Sequence, residues 1–378
     1  MTRSTRAIAA AAAALLLLIA PASEAAKRKV PRGFFGVNYA GQIENAPTQL
    51  QAEQWDRLDR AGVESARILF NWEIANYVRS DPIDWRFMDS DVRFASEHRI
   101  EVLPVVMYAP PWAKRYRGWD GSPPKRVSDY TAFLKKAIRR YGPHGVFWRE
   151  HPDIPKRPLR RWQIWNEVDL QFQWYRREDT WQPKHAAAYG KLLRAAYRTV
   201  HKADPGAKVL SASLAIDSWI VLEKLYRNGG IRGYFDIAGV QVEAGDWRFL
   251  PTVLRRFRAV LDRHGAGRVP MWGTEFGWPA SDGRTPTPSY TFGYMTGYTT
   301  DDDGMASRLT NGYNLLAKRS LRRELRLERL MWFTAVSPYS GSFEYDYSGL
   351  LWHHGDIVEP KPAYEAYAQT ARRHEGRR

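Results

Sequence analysis

The sequence predicts a single-domain (β/α)8 barrel, and three observations support this fold class. Apolar runs of strand length alternate with stretches of helix length eight times along the chain, which is typical of parallel strands joined by helices. Most helix-to-strand links are short, whereas the long segments rich in Trp, Tyr and Pro nearly all follow strands. Two predicted strands, three repeats apart, end on a glutamate. In such barrels the loops after the strands build the functional site.

The first 25 residues predict a secretory signal peptide rather than a part of the barrel. Arg3 and Arg6 precede an apolar run over residues 7–20 that ends in small residues, which is the order found in secretory signals. The run is short for a membrane span, which needs about 20 apolar residues; a retained N-terminal anchor is the alternative. We expect a secreted protein of the extracellular space or cell envelope, without a stable membrane span after cleavage.

The predicted elements alternate regularly between residues 33 and 372. The strands are predicted at 33–38, 63–70, 100–107, 161–167, 208–213, 235–242, 269–275 and 330–336. The helices are predicted at 49–61, 84–99, 128–141, 183–203, 216–228, 247–264, 303–323 and 362–372. The strand at 100–107 is largely apolar, as expected of a strand that is covered on both faces. Ser128 is the expected N-cap of its helix, and the basic residues 373–378 are expected to form a disordered tail.

Composition limits the classes of function. The chain has 378 residues and no cysteine, so neither a disulfide framework nor a thiol chemistry is available. Its formal net charge is +16, which fits attraction to an acidic polymer or cell envelope, nucleic-acid binding, or Arg residues spread over solvated helix faces. The scatter of Arg through most predicted helices favours the last explanation. No basic stripe coincides with a recognition motif, so we expect no nucleic-acid partner.

The two strand-end glutamates lie in Trp165-Asn166-Glu167 and in Thr274-Glu275-Phe276-Gly277-Trp278. Their spacing fits strands four and seven, which open onto the same barrel mouth. Two carboxylates in one cleft are what double displacement at a glycosidic bond requires, since one protonates the leaving oxygen and the other attacks the anomeric carbon. We predict Glu167 as the acid/base and Glu275 as the nucleophile. The alternative for either residue is a structural ion pair with a nearby Arg.

These two motifs resemble the paired motifs of clan A glycoside hydrolases, in which an Asn-Glu at strand four carries the acid/base and a Glu at strand seven is the nucleophile. The resemblance covers essentially the whole chain after the predicted signal, and it is strongest to family 39, whose members include β-xylosidases and exopolysaccharide glycosidases. Further segments that resemble this family are Gly36-Val37-Asn38, Ala109-Pro110-Pro111-Trp112-Ala113, Gly349-Leu350 and Lys361-Pro362-Ala363-Tyr364.

The resemblance implies roles for neighbouring residues. Asn166 should hydrogen-bond the 2-hydroxyl of the sugar, and Arg67 should keep Glu275 ionised. Trp332 resembles the aromatic floor beneath the reacting sugar. Asn38 and Trp112 are further implied substrate contacts. The alternatives are a strand-end cap for Asn166, a structural ion pair for Arg67 and barrel packing for Trp332.

One departure from the family pattern concerns the end of strand six. Relatives carry a His followed by an aromatic residue there, whereas this chain reads Gln241-Val242-Glu243-Ala244-Gly245. If Glu243 points into the cleft, it should raise the pKa of one carboxylate of the cluster. It could also bind a cationic or hydroxyl-rich sugar, or pair with an Arg. The sequence leaves these alternatives open.

The sequence thus predicts a secreted, retaining glycoside hydrolase that cleaves β-linkages in a glycan or polysaccharide. Carbohydrate is the expected partner, with acidic polysaccharide as a further candidate. The alternative is a catalytically inactive carbohydrate-binding barrel or an envelope-associated interaction protein. No cofactor and no metal are predicted: His353-His354 is interpreted as a loop feature without further ligands, and Asp301-Asp302-Asp303 as an acidic helix N-cap.

Overall fold

The computed structural model describes residues 28–39, 47–176, 181–355 and 357–376. The predicted signal peptide therefore lies outside the described residues. Within those ranges, no helix combines the length and the apolar character that crossing a membrane requires.

Eight parallel strands form the predicted barrel, and the fold class is confirmed. In chain order they are β1 (Phe35–Tyr39), β2 (Ser65–Asn71), β3 (Glu101–Met107), β4 (Arg161–Ile164), β5 (Lys208–Leu210), β6 (Ala238–Val242), β7 (Met271–Phe276) and β8 (Leu327–Trp332). Each strand pairs with its neighbour in sequence, and β1 also pairs with β8. A parallel bridge between Leu210 and Ile237 joins β5 to the start of β6 and closes the barrel.

Helices cover the outside of this barrel. They are α1 (Thr48–Arg60), α2 (Trp72–Ala75), α3 (Arg86–Glu97), α4 (Val127–Tyr141), α5 (Val146–Glu150), α6 (Gln171–Trp174), α7 (Pro183–Ala203), α8 (Ser218–Lys224), α9 (Leu250–Arg263), α10 (Asp302–Leu316), α11 (Arg319–Leu325) and α12 (Pro362–Glu375). The helix predicted at 303–323 is divided into α10 and α11, because Lys318 adopts a non-helical conformation between them. Asp301 caps α10 by accepting from the Gly304 amide at 2.7 Å, whereas Ser128 lies inside α4 and the N-cap is Arg126.

The C-terminal boundary differs from the prediction, because residues 373–375 are helical rather than disordered. The ring of His374 is hydrogen-bonded to Asn314 of α10 at 2.8 Å, and its carbonyl accepts from the amide of Lys29 at 2.9 Å. These tertiary contacts extend α12 by a turn that charge composition alone did not indicate.

A small second sheet follows β8, which the sequence did not predict. It consists of β9 (Val336–Ser337), β10 (Leu351–His354) and β11 (Ile357–Pro360), with β10 in the centre. His353 and His354 therefore lie on a strand, not in a loop. Their backbones pair with β11 in an antiparallel register, so the alternation of this hairpin places the two rings on opposite faces.

The barrel interior is closed at the ends where the strands begin. Leu103, Leu210, Ile237, Trp272 and Met331 come from five barrel elements and form a separate buried apolar cluster. Beside it, the guanidinium of Arg329 lies 4.1 Å from the Trp272 ring centroid and donates to Glu101 at 2.6 Å. For the described residues, the cavity that a ligand can enter lies at the other end, where the strands finish and the long loops begin.

Candidate active site

A cavity of about 550 Å³ lies at the carboxyl ends of the barrel strands. Its lining includes six of the eight residues predicted for the site: Asn38, Arg67, Asn166, Glu167, Glu243 and Glu275. All of these residues except Glu167 are about nine-tenths buried or more. The barrel thus brings together side chains that are more than 200 positions apart in sequence.

Glu167 does not lie on a strand, because β4 ends at Ile164 and the next residues form a turn. Trp165 and Glu167 have φ angles of +65° and +44°, a left-handed conformation that costs free energy for residues other than glycine. Two contacts hold this turn: the Trp165 indole donates to the Gln173 carbonyl at 2.7 Å, and the Glu167 amide donates to the Ser213 carbonyl at 2.8 Å. The strained turn directs the Glu167 side chain into the cavity.

Arg67 is the centre of the hydrogen-bond network on the floor of the cavity. Its Nη1 donates to Glu275 Oε1 at 2.9 Å and to Asn38 Oδ1 at 2.6 Å. Its Nη2 donates to Asn166 Oδ1 at 2.7 Å, and its Nε donates to Gln163 Oε1 at 2.8 Å. The planar guanidinium therefore fixes the positions of one carboxylate and three amides at once.

Gln241 joins the two predicted catalytic carboxylates and was missed in the sequence. Its Nε2 donates to Glu167 Oε1 at 2.7 Å, and its side chain lowers the pKa of Glu275. A bulge between Val240 and Gln241 shifts the register so that Gln241 lies opposite Glu275. Side-chain alternation along the strand could have identified Gln241, because it places Gln241 on the same face of β6 as Glu243.

The two carboxylates have different electrostatic environments. Burial raises the pKa of Glu167 well above its ordinary value of 4.5, and the negative charge of Glu275 raises it further. Burial also raises the pKa of Glu275, but the charge and hydrogen bond of Arg67 and the amides of Gln241 and Asn166 oppose that rise. Glu275 is therefore the first of the pair to ionise, and Glu167 retains its proton to a higher pH.

Glu243 points into the cavity as a third carboxylate. Tyr298 donates its hydroxyl to Glu243 Oε1 at 3.3 Å, and no Lys or Arg of the described residues forms an ion pair with it. Burial, followed by the charge of Glu275, raises the pKa of Glu243 to about 8. Among the described residues, the partner of Glu243 is a tyrosine and not an Arg.

This raised pKa leads to a prediction about stability. In the unfolded chain Glu243 ionises near 4.5, so between pH 4.5 and pH 8 the folded protein holds a proton that the unfolded chain has lost. Folding stability is therefore lost as pH rises through this window, by up to about 1.4 kcal/mol per pH unit. Glu243→Gln removes the titration, so its free energy of unfolding relative to wild type should rise from pH 5 to pH 8.

Urea denaturation at the two pH values measures this difference. The matched control is Glu365→Gln, because Glu365 lies on α12 with its side chain 58% exposed. If the free energies of unfolding of wild type and Glu243→Gln depended equally on pH, Glu243 would not be a buried, protonated carboxyl.

Two predicted site residues, Trp332 and Trp112, do not line the cavity. Trp332 is fully buried, packs against Phe276 and Trp278, and donates its indole N–H to the Ser348 carbonyl at 3.1 Å. The next residue, Phe333, lines the cavity instead. Trp332 therefore takes part in barrel packing, the alternative that the sequence left open.

Trp112 belongs to the packing of the loop after β3. Its indole N–H donates to the Asn76 carbonyl at 2.9 Å, and its ring meets Trp72 edge to face at 5.6 Å. Arg79 lies 5.3 Å from the ring centroid. These neighbours engage the indole away from the cavity.

Loops after β7 and β8 supply lining residues for which the sequence offered little signal. Tyr290, Glu344 and Tyr345 line one wall of the cavity, and the Tyr290 hydroxyl donates to Glu344 Oε1 at 2.5 Å. Tyr290 lies in the long loop between β7 and α10. Glu344 comes from a short 3-10 turn, Glu344–Tyr347, whose position depends on the unpredicted second sheet.

No family model and no curated protein matches this sequence, whereas solved structures share its fold. One is a family 39 glycoside hydrolase from Bacteroides cellulosilyticus WH2, with a TM-score of 0.62 and 18% identity over 91% of this chain and 64% of that chain. Another is a monomeric β-xylosidase from Caulobacter crescentus CB15, with a TM-score of 0.59 and 18% identity over 90% of this chain and 69% of that chain.

A family 51 α-L-arabinofuranosidase from Bifidobacterium longum is also similar, with a TM-score of 0.61 and 11% identity over 91% of this chain and 73% of that chain. The chain thus spans between three fifths and three quarters of the length of these three enzymes. Identities this low establish a common architecture and leave the chemistry to the site itself. The chain has the (β/α)8 barrel fold that these glycoside hydrolases share.

Proposed function

We propose that this protein is a retaining glycoside hydrolase that cleaves β-glycosidic bonds in a glycan or polysaccharide. The observation that carries the proposal is the pair of carboxylates, Glu167 and Glu275, in one cavity. The pKa of Glu167 is raised well above its ordinary value, whereas Arg67 opposes the rise in the pKa of Glu275. Such a pair supplies a neutral acid and an ionised nucleophile at the same pH. The wider likeness to glycoside hydrolase structures supports the same reaction class.

In the first step Glu275 attacks the anomeric carbon while Glu167 protonates the departing oxygen. Gln241 prepares Glu167 for this role, since its amide donates to Oε1 and leaves Oε2 to carry the proton. In the second step Glu167 accepts a proton from water, which attacks the glycosyl–Glu275 ester. Two inversions at one carbon give net retention.

Contacts with a single amide support retention over inversion. Gln241 donates to Glu167 and lies opposite Glu275 in the register of β6 and β7, so one amide lies beside both carboxylates. Inverting enzymes keep their carboxyl groups ~6.5–9.5 Å apart to admit a water, whereas retaining enzymes keep them ~5–5.5 Å apart. The Gln241 contacts therefore favour direct attack by Glu275.

Asn166 is suited to bind the sugar beside the anomeric carbon. Its Oδ1 accepts from Arg67, which leaves its Nδ2 free to donate towards Glu275 and a bound sugar. Hydrogen bonds at the 2-hydroxyl tighten in the transition state of these reactions. The aromatic side chains Tyr108, Tyr290 and Phe333 add apolar faces to the cavity, as carbohydrate sites commonly do.

Secretion of the enzyme remains part of the proposal, as the N-terminal sequence predicts.

The proposed roles determine how activity should depend on pH. Turnover requires Glu275 ionised and Glu167 protonated, so kcat/KM should fall at low pH as Glu275 gains its proton and at high pH as Glu167 loses its proton. Burial raises both pKa values, so both limbs should lie above the ordinary carboxyl value of 4.5. We expect a bell-shaped profile with its maximum above pH 5. A maximum at pH 4 with little activity at pH 6 would contradict the assignment.

The proposal is tested with a panel of aryl glycosides and polysaccharides, with the product anomer followed by NMR. Hydrolysis with a β-anomer formed first from a β-glycoside supports the proposal. An α-anomer formed first would exclude double displacement. Binding of glycans without turnover of any substrate would instead favour the alternative that the sequence left open, a carbohydrate-binding barrel without activity.

A further inference from the structure

Two carboxylates and three tyrosines form a group at one side of the cavity, which we call the tyrosine–carboxylate cluster: Glu243, Tyr290, Tyr298, Glu344 and Tyr345. All of them except Tyr298 line the cavity. Tyr298 donates to Glu243 at 3.3 Å and Tyr290 donates to Glu344 at 2.5 Å. The hydroxyls of Tyr290 and Tyr345 lie 3.2 Å apart. The Tyr298 ring lies 6.2 Å from the Tyr290 ring and 6.5 Å from the Tyr345 ring, so the members form one continuous group.

Each carboxylate of the cluster accepts a hydrogen bond through only one of its two oxygens. The second oxygens of Glu243 and Glu344 have no hydrogen-bond partner among the described residues, and both side chains line the cavity. The residues are 9% and 7% exposed. The open oxygens therefore face the interior of the cavity, where a ligand would lie.

Among the residues that the structure describes, no Lys or Arg forms an ion pair with the two carboxylates of this wall. Within the part of the chain that the structure describes, Arg67 is the only Lys or Arg that lines the cavity, and its guanidinium is committed to Glu275 and three amides. A buried carboxylate without a counter-charge is costly, so it either keeps a proton or receives a cation from its ligand. Tyrosine rings also attract cations over their faces.

We infer that the cavity accepts a glycan whose reacting sugar carries a free, positively charged amino group, and that Glu243 is the residue that selects it. The inference rests on the proposed function. Glu243 follows Gln241, which lies opposite Glu275, and both carboxylates line the same cavity, so an ammonium at Glu243 would belong to the sugar that Glu275 attacks. The same wall disfavours sugars that bear carboxylates, because like charges repel.

The raised pKa of Glu243, about 8, supports an exchange of charge on binding. In the empty cavity at pH 6 the carboxyl holds its proton. When an ammonium group arrives, the carboxylate form pairs with it and the proton leaves for solvent. The negative charge that the wall gains is balanced by the ammonium group, and one proton is released for each ligand bound.

Calorimetry of the full chain tests this inference at pH 6, in buffers with different ionisation enthalpies. The ligands are β-1,4-linked glucosamine oligosaccharides, their N-acetylated counterparts and cello-oligosaccharides, and Glu167→Gln is used to prevent turnover. We expect the amino oligosaccharides to bind at least ten-fold more tightly than either neutral series and to release close to one proton. Adding Glu243→Gln should reduce the preference to about two-fold and abolish the proton release.

Glu365→Gln in the same background should keep both the preference and the proton release, because Glu365 lies on the exposed face of α12. Glu344→Gln provides a second variant of the cluster, which should weaken the preference. Tighter binding of a neutral series, or an unchanged preference in Glu243→Gln, would overturn the inference even if wild type hydrolyses neutral glycosides. Conversely, selective binding of amino oligosaccharides without hydrolysis of any glycan would reject the proposed function and leave the binding inference standing.

Discussion

Replacement of Glu275 by Gln is expected to lower kcat/KM by at least about 10⁴-fold, since loss of a covalent nucleophile removes the pathway rather than a single contact. Gln is nearly isosteric, but it cannot attack the anomeric carbon. The buried guanidinium of Arg67 would retain its contacts with Asn38, Asn166 and Gln163, so the fold should persist. Circular dichroism and the Tm would establish that, and aryl-glycoside kinetics would measure the loss.

A smaller side chain at this position allows a stricter test of the role. Glu275→Gly with azide and an activated β-glycoside should yield the α-glycosyl azide, because azide enters from the side that the carboxylate occupied. Glu365→Gln, on the exposed face of α12, should retain wild-type kinetics. Activity of Glu275→Gln above about 1% of wild type, free of contaminating enzyme, would be incompatible with a nucleophilic Glu275.

Replacement of Glu167 by Ala should affect substrates according to their leaving groups. A positioned general acid contributes about 10²–10⁴-fold, and that contribution is needed only when the departing oxygen is a poor leaving group. We expect a loss of this size for oligosaccharides and a small loss of kcat/KM for activated aryl glycosides. The physical basis is the proton that burial and the charge of Glu275 keep on Glu167.

Two further measurements separate an acid/base from a residue that only shapes the cavity. Azide should restore turnover of Glu167→Ala and give the β-glycosyl azide, the opposite anomer to the Glu275→Gly product. In Glu167→Ala the fall of kcat/KM at high pH should also disappear. If oligosaccharides and activated glycosides lost activity equally, Glu167 would not be the proton donor.

Much of the barrel could be predicted because its signals are local. The apolar run of β3 and the end of helix α1 at Gly62 follow from side-chain periodicity and turn chemistry over a few residues. The motifs that carry Glu167 and Glu275 were recognisable for the same reason, since each is an apolar run that stops at a polar group. Boundaries were less accurate: β4 ends three residues before Glu167, because the barrel opens into a strained turn there.

The contacts within the site could not be derived from local signals. Whether Trp332 or Phe333 faces the cavity depends on how β8 is rotated in the barrel wall, and a shift of one residue reverses every side chain. Gln241 reaches both carboxylates only because a bulge in β6 changes its register against β7.

The sequence by itself determined the fold class and predicted the two glutamates, because the strand–helix alternation and the polar strand ends are local patterns, whereas Arg67 and Asn166 were predicted from the family resemblance. Only the tertiary structure decided which side chains share the cavity and what charge each carries. Glu344 lies in the cavity wall, in a segment between two strands of a second sheet that follows the barrel in sequence. The pKa values of Glu167, Glu243 and Glu275 depend on burial and on one another, and both are properties of distances that only the folded chain possesses.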